Sequence, residues 1–181
     1  MIDARNYSAS ETLKNGLQVT IRAIRPDDSD ALLAAFKELD ERTIYLRFFG
    51  VKKEVSPEEL TIATEVDFSR TVALVTCLQD STGEKIIGVG RYVAFGHAVP
   101  PDRAEVAFAV EEDYHGLGIA GMILRHLSGI AKDKGVVQFQ AEVLPVNKGM
   151  LAVFNRSGLP MKKESAGGVT HVTLLLSGTH P

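Results

Sequence analysis

One turn constrains this chain more than any other feature. After the apolar segment Ala104–Val110, the residues Glu111-Glu112-Asp113-Tyr114-His115-Gly116-Leu117-Gly118 lead into a run where Ile119, Ile123, Leu124, Leu127, Ile130 and Ala131 recur at helical spacing. A strand must therefore pass into an amphipathic helix within a few residues, through glycines that reach conformations closed to other side chains. The first amides of such a helix lack internal partners. Together with the positive end of the helix dipole they can cradle a diphosphate without any basic side chain. A plain packing turn uses the same pattern, because a Gly-x-Gly is short enough to recur by chance.

The segments before the turn exclude two familiar nucleotide folds. No Gly-Lys-Ser/Thr follows the glycines, so the loop is not a Walker motif. Thr71–Cys77, Ile86–Val93 and Ala104–Val110 read as strands joined by the turns Asp80–Gly83 and Pro100–Asp102. These connections are too short for crossover helices, so the three strands form an antiparallel meander. A dinucleotide-binding Rossmann loop instead follows the first strand of a parallel sheet. Coenzyme A is the diphosphate ligand that fits what remains.

Elsewhere the pattern is regular. Asn15-Gly16 marks a hairpin turn before Val19, Ile21 and Ala23, which alternate as in a strand. Pro26-Asp27-Asp28 opens a helix carrying Leu32, Leu33, Phe36 and Leu39, and Ile44 to Phe49 supplies a second helical piece. Ser56-Pro57-Glu58-Glu59 is a capping box that starts a third. Lys132, Lys134 and Gly135 close the long helix, Val136 to Leu144 is a strand, and Asn147 caps a helix containing Met150, Leu151 and Phe154. Gly158-Leu159-Pro160 stops that helix, and His171 to Leu176 is a final strand. Residues 1–10 are polar and patternless and read as a loose tail. Residues 11–181 read as a single α+β domain, a mixed, mostly antiparallel twisted sheet of about seven strands with four or five helices.

Composition removes several function classes. Lys plus Arg total 20 against 23 Asp plus Glu, a net charge of −3, which supplies no basic field for nucleic acid. No apolar run is long enough to span a bilayer and the start lacks a signal-peptide pattern, so a cytoplasmic location away from membranes is expected. Cys77 is the single cysteine, so neither an intrachain disulfide nor a multi-cysteine zinc site can form. The five histidines show no paired ligand spacing, and no metal is expected.

The glycine loop resembles the acyl-CoA-binding signature of GNAT-type N-acetyltransferases: Gln or Arg, two residues, Gly, one residue, then Gly or Ala. His115, Gly118 and Ala120 occupy those positions. The order of elements over roughly residues 17–177 is similar to that fold. Further likeness lies in Val19 to Asp28, in Tyr45-Leu46-Arg47-Phe48-Phe49-Gly50 and in Val89-Gly90-Arg91-Tyr92. Together these resemble the acetyltransferase domain of bacterial protein lysine acetyltransferases, the group known for modifying acyl-CoA synthetases. The resemblance implies a GNAT fold with acetyl-CoA held by Ala109, Val110 and Glu111, then by His115, Gly116, Leu117, Gly118, Ile119, Ala120 and Gly121. It also places Asn147 and Phe154 along the coenzyme arm. His115 stands where Gln or Arg is usual. Phe154 stands where many relatives carry a Tyr that protonates the departing thiolate, and with a thiol pKa near ~8.5 that thiolate can leave unaided. The implied partners are acetyl-CoA and an amine acceptor. A protein such as an acyl-CoA synthetase is one candidate acceptor, and a homodimer one candidate assembly.

Acetyl transfer from a thioester needs a neutral amine, and a lysine side chain titrates near ~10.4. A carboxylate must therefore take its proton. In an extended Ala104–Val110, Glu105 shares a face with Ala107 and Ala109, whose small side chains leave room for a ligand. The resemblance places the general base at the same residue. Glu142 is the rival, on a strand expected to splay from its neighbour. A solvated or structural carboxylate is the other role open to each. A backbone N–H near Ala109 or Val110 would bind the thioester oxygen. Glu111, Glu112 and Asp113 would repel phosphates and are expected to face water. Cys77 and the Tyr45–Phe49 cluster are expected in the core, with Arg91 or Tyr92 toward the acceptor. A lysine N-acetyltransferase is the leading reading. Acetylation of a small amine and a non-catalytic acyl-CoA sensor are the alternatives.

Overall fold

The computed structural model describes residues 1–176. Eight strands form one sheet: β1 (Ser8–Thr12), β2 (Gln18–Ala23), β3 (Thr71–Asp80), β4 (Gly83–Phe95), β5 (Arg103–Val110), β6 (Gln138–Val143), β7 (Met161–Ala166) and β8 (Val169–Leu175). Their spatial order is β1-β2-β3-β4-β5-β6-β8-β7, with every neighbour antiparallel except β5 and β6. Five helices complete the fold: α1 (Ser29–Lys37), α2 (Glu41–Phe48), α3 (Pro57–Thr64), α4 (Ile119–Asp133) and α5 (Lys148–Asn155). No helix among the described residues is long and apolar enough to cross a membrane.

The caps form where the sequence places them. Ser56 and Glu59 exchange side-chain bonds with each other's amides at the start of α3, and the Asn147 side chain accepts the Met150 amide at 3.1 Å to start α5. The six apolar residues predicted for the face of α4 are all buried. That helix packs closely on the meander because β4 carries glycine where the two meet. A Cβ on Gly90 would overlap Ile123 Cγ2 and lie 2.8 Å from Phe108 Cδ1; on Gly88 it would lie 2.8 Å from Ile119 Cγ2. Gly90→Ala is therefore expected to cost about 1–3 kcal/mol by overpacking. A urea melt showing an unchanged midpoint would show that the helix can shift without penalty.

One expectation needs correction. Residues 1–10 are not a loose tail: Ser8–Thr12 pair with Gln18–Arg22, and Ala4 and Leu13 are buried. The Tyr7 hydroxyl is hydrogen-bonded to His126 Nδ1 at 2.5 Å, while His126 Nε2 lies 2.7 Å from Glu11. Arg125 also pairs with Glu11, so two residues of α4 hold β1. The mixed, mostly antiparallel sheet of about seven expected strands has eight among the described residues, with β7 at the far edge. Its sequence, Met-Lys-Lys-Glu-Ser-Ala, is almost wholly exposed and so shows no alternation. Only the Gly167-Gly168 turn, with both glycines at positive φ, marks its hairpin with β8.

The feature that places the site is the β5–β6 junction. Arg103, Ala104 and Glu105 pair with Gln138, Phe139 and Gln140, and pairing then stops. Beyond Glu105 the two strands part, leaving an opening between them on the side where α4 begins.

Candidate active site

The opening is the mouth of a cleft of about 780 Å³, within the range of ordinary small-molecule sites. One wall is β5 from Glu105 to Val110, the other runs from Ala141 through Asn147 into α5, and the floor is the glycine loop with the start of α4. Residues from α2 close the remaining side.

The ladder decides which amides face this space. Glu111 donates its N–H to the Ile87 carbonyl at 3.0 Å, and Val110 lies opposite Gly88. Hydrogen-bonded and non-bonded pairs alternate in an antiparallel ladder, so Ala109 and Ala107 are also bonded to β4. Phe108 and Val110 direct their N–H groups the other way, into the opening. Of the two donors proposed for the thioester oxygen, Val110 is therefore the one available. Glu111 was expected at the coenzyme, yet its amide is committed to β4.

The acidic run also differs from expectation. Glu111 is 3% exposed rather than turned to water, and it meets Lys85 Nζ at 3.0 Å. Both carboxylate oxygens of Glu112 are buried without a hydrogen-bond partner. Only Asp113 faces solvent. Glu111 follows the last residue of β5, and its buried carboxylate has Lys85 as its counter-ion.

The glycine loop has the geometry of a cradle. Gly116 and Gly118 have φ of 75° and 92°, conformations that carry a penalty for other residues. The N–H groups of Gly116, Leu117 and Gly118 find no acceptor among the described residues. Those of Ile119, Ala120 and Gly121 lie in the first turn of α4, where no intrahelical partner exists. Gly116, Gly118, Ile119, Ala120 and Gly121 line the cleft, whereas the Leu117 side chain packs on the core. The residues thus fit a diphosphate. His115 lines the cleft too, but its Nε2 lies 2.7 Å from the Val110 carbonyl. A carbonyl only accepts, so Nε2 carries the proton and donates it to this bond.

Glu105 and Glu142 both reach the opening and share a smaller recess with Gln140, His171 and Thr173. Glu142 lies 3.6 Å from His171 Nδ1, directly across the β6–β8 ladder. Both carboxylates are exposed. Asn147 lines the cleft with its side chain engaged in capping, and Phe154 is buried against Phe108 at a ring separation of 6.2 Å.

Side chains distant in sequence complete the walls. Tyr45, Phe48 and Phe49 are not core but 47%, 42% and 38% exposed, and the last two line the cleft. The Arg47 guanidinium lies over the Phe48 ring at 5.0 Å. Burial, reinforced by nearby Arg91, lowers its pKa against the opposing pull of Glu105. Lys14, Arg42, Lys148 and Arg156 also border the space. Lys14, Arg42, Lys148 and Arg156 did not stand out in the sequence, since single basic residues carry no spacing signal. Tyr92 is fully buried against Phe139, with its hydroxyl unpartnered and its pKa raised by burial. Cys77 is core as expected, and burial pushes its thiol up to about 12. Among the described residues no group of three or more His, Cys, Asp or Glu is placed to hold a metal.

The profile of the acetyltransferase (GNAT) family matches residues 33–159. The chain belongs to the GNAT family. Its resemblance to that family in the glycine loop and element order is thereby borne out. Among similar proteins, the GNAT domain of S. lividans PAT is 30% identical, with a TM-score of 0.86 covering 93% of this chain and 96% of that one. Acetyltransferase Pat of Mycolicibacterium smegmatis is 31% identical over 157 residues, which is 87% of this chain but 46% of Pat. The chain thus spans about half the length of that curated relative. At the level of the fold, yncA of Salmonella typhimurium, solved with its cofactor acetyl-CoA, is 14% identical with a TM-score of 0.68 over 90% of this chain.

Proposed function

We propose that this GNAT protein transfers the acetyl group of acetyl-CoA to a lysine side chain of a protein, by direct attack with Glu105 as general base. The observation that carries this reading is the place of Glu105, at the last paired residue before β5 and β6 part. It shares a face with Ala107 and Ala109, next to the cleft whose far end is the glycine cradle. The likeness to Pat and to the S. lividans GNAT domain supports a protein acceptor.

The chain's own groups divide the work. Unpartnered amides of Gly116 to Gly118 hold the diphosphate, the parted strand edges receive the pantetheine amides, and the Val110 N–H meets the thioester oxygen as charge develops on it. Glu105 takes a proton from the acceptor amine, directly or through one water. The amine nitrogen then bonds to the carbonyl carbon, the carbon–sulfur bond breaks, and the proton balance closes on the thiolate or solvent. No protein nucleophile is required.

Calorimetry with acetyl-CoA, followed by turnover on lysine peptides, small amines and an acyl-CoA synthetase, tests the reading. Binding with turnover on lysine-bearing acceptors is expected. Binding without turnover on any acceptor would favour a sensor, and turnover on small amines alone would relocate the substrate. The value of kcat/KM should climb from pH 6 to 9, because an acceptor amine titrating near ~10.4 must lose its proton before it attacks. A level profile with chemistry rate-limiting would argue against proton removal by a carboxylate.

A further inference from the structure

The N-terminal hairpin lies against the cradle. The Lys14 amide in the β1–β2 turn donates to the Leu117 carbonyl at 3.3 Å. Its side chain then runs over the loop: the Cβ that Gly118 lacks would sit 3.6 Å from Lys14 Cε. Lys14 borders the cleft and has no carboxylate within ion-pair distance among the described residues. The hairpin is held from both ends. Leu13 is buried beside Lys14, and Glu11, with Tyr7, ties β1 to His126 and Arg125 of α4. The helix whose first turn offers the amides is thus the helix that anchors the strand carrying the lysine. Meanwhile His115, at the signature position where a polar side chain is usual, donates Nε2–H back to its own strand.

From this we infer that Lys14 supplies the side-chain contact to the coenzyme diphosphate, in place of the residue at the signature position, and that the N-terminal hairpin is part of the cofactor site. The inference rests on the acetyl-CoA reading above. An ammonium beside the unpartnered amides of Gly116 to Gly118 adds a point charge to a backbone cradle that otherwise has only dipoles for the two phosphates. The lysine chain passes within van der Waals range of Gly118, the residue that caps the start of α4.

The test is titration calorimetry of CoA and 3′-dephospho-CoA with the wild type, Lys14→Gln and Lys14→Arg, each checked for an unchanged circular dichroism spectrum. Lys14→Gln is expected to weaken both ligands by about tenfold, equivalent to about 1.4 kcal/mol, and to flatten the salt dependence of binding. Lys14→Arg should recover most of the loss. A Lys14→Gln affinity within twofold of wild type overturns the assignment. A loss seen with CoA but absent with 3′-dephospho-CoA overturns it as well, because the lysine would then serve the 3′-phosphate. If the wild type binds neither ligand, the acetyl-CoA reading itself fails, an outcome separate from both.

Discussion

Glu105→Gln is expected to lower kcat by about 100- to 10,000-fold, the usual worth of a positioned general base, with acetyl-CoA affinity nearly unchanged. The separation of the two effects follows from the strand. Glu105 lies at the start of the opening, whereas the cradle at Gly116 to Gly118 follows the other end of β5. The amide that replaces the carboxylate keeps its shape but cannot accept the amine proton. Glu142→Gln is the paired control. Glu142 sits across from His171 at 3.6 Å on the opposing strand, and its loss should change kcat by less than about threefold if Glu105 is the base. Steady-state release of free thiol, measured at several pH values, distinguishes the pair. Full activity in the Glu105 variant with collapse in the Glu142 variant would exchange their roles.

Arg22→Met is expected to cost about 3–5 kcal/mol of stability, the penalty for leaving one member of a buried ion pair alone. Arg22 and Asp28 are 4% and 6% exposed. Nη1 donates to Asp28 Oδ2 at 2.9 Å and Nη2 to Oδ1 at 2.8 Å, with further bonds to the Ala23 carbonyl and Glu84. The Asp28 carboxylate also accepts the Arg25 amide at 2.7 Å, which fixes the turn from β2 into α1. Burial raises the pKa of Asp28, but the bonds from Arg22 and the Arg25 amide outweigh it and the net shift is downward. A carboxyl depressed in the folded state adds stability that is complete above its unfolded value near ~3.9 and is lost as pH falls through the folded value. The gap between wild type and Arg22→Met in urea melts should therefore narrow below about pH 4, where Asp28 protonates in the variant first. A gap that stays constant down to pH 3 would mean that the variant loses packing rather than a counter-charge.

Much of this protein is legible one segment at a time. The apolar face of α4, the capping box at Ser56 and the Asn147 cap rest on contacts three or four residues apart, and local chemistry settles them. β1 and β7 escaped the reading because edge strands have one unpaired side and little burial, so their side chains need not alternate. Tyr45, Phe48 and Phe49 misled for a related reason. Aromatic residues read as core by their apolar area, and only the packing of α2 beside an opening leaves them at its rim. The inward turn of Glu111 depended on Lys85, a partner 26 residues away.

By itself the chain determined the glycine turn and the helix that follows it, and it offered Glu105 and Glu142 as the candidate carboxylates, because each is a matter of backbone freedom, residue period or functional group. Tertiary structure alone decided where β5 and β6 stop pairing, which of the amides at 109 to 111 is left for a ligand, and that an N-terminal lysine comes to rest on Gly118. Those outcomes turn on the register of strands and the docking of a hairpin far away in sequence, and such long-range geometry leaves no trace in local spacing.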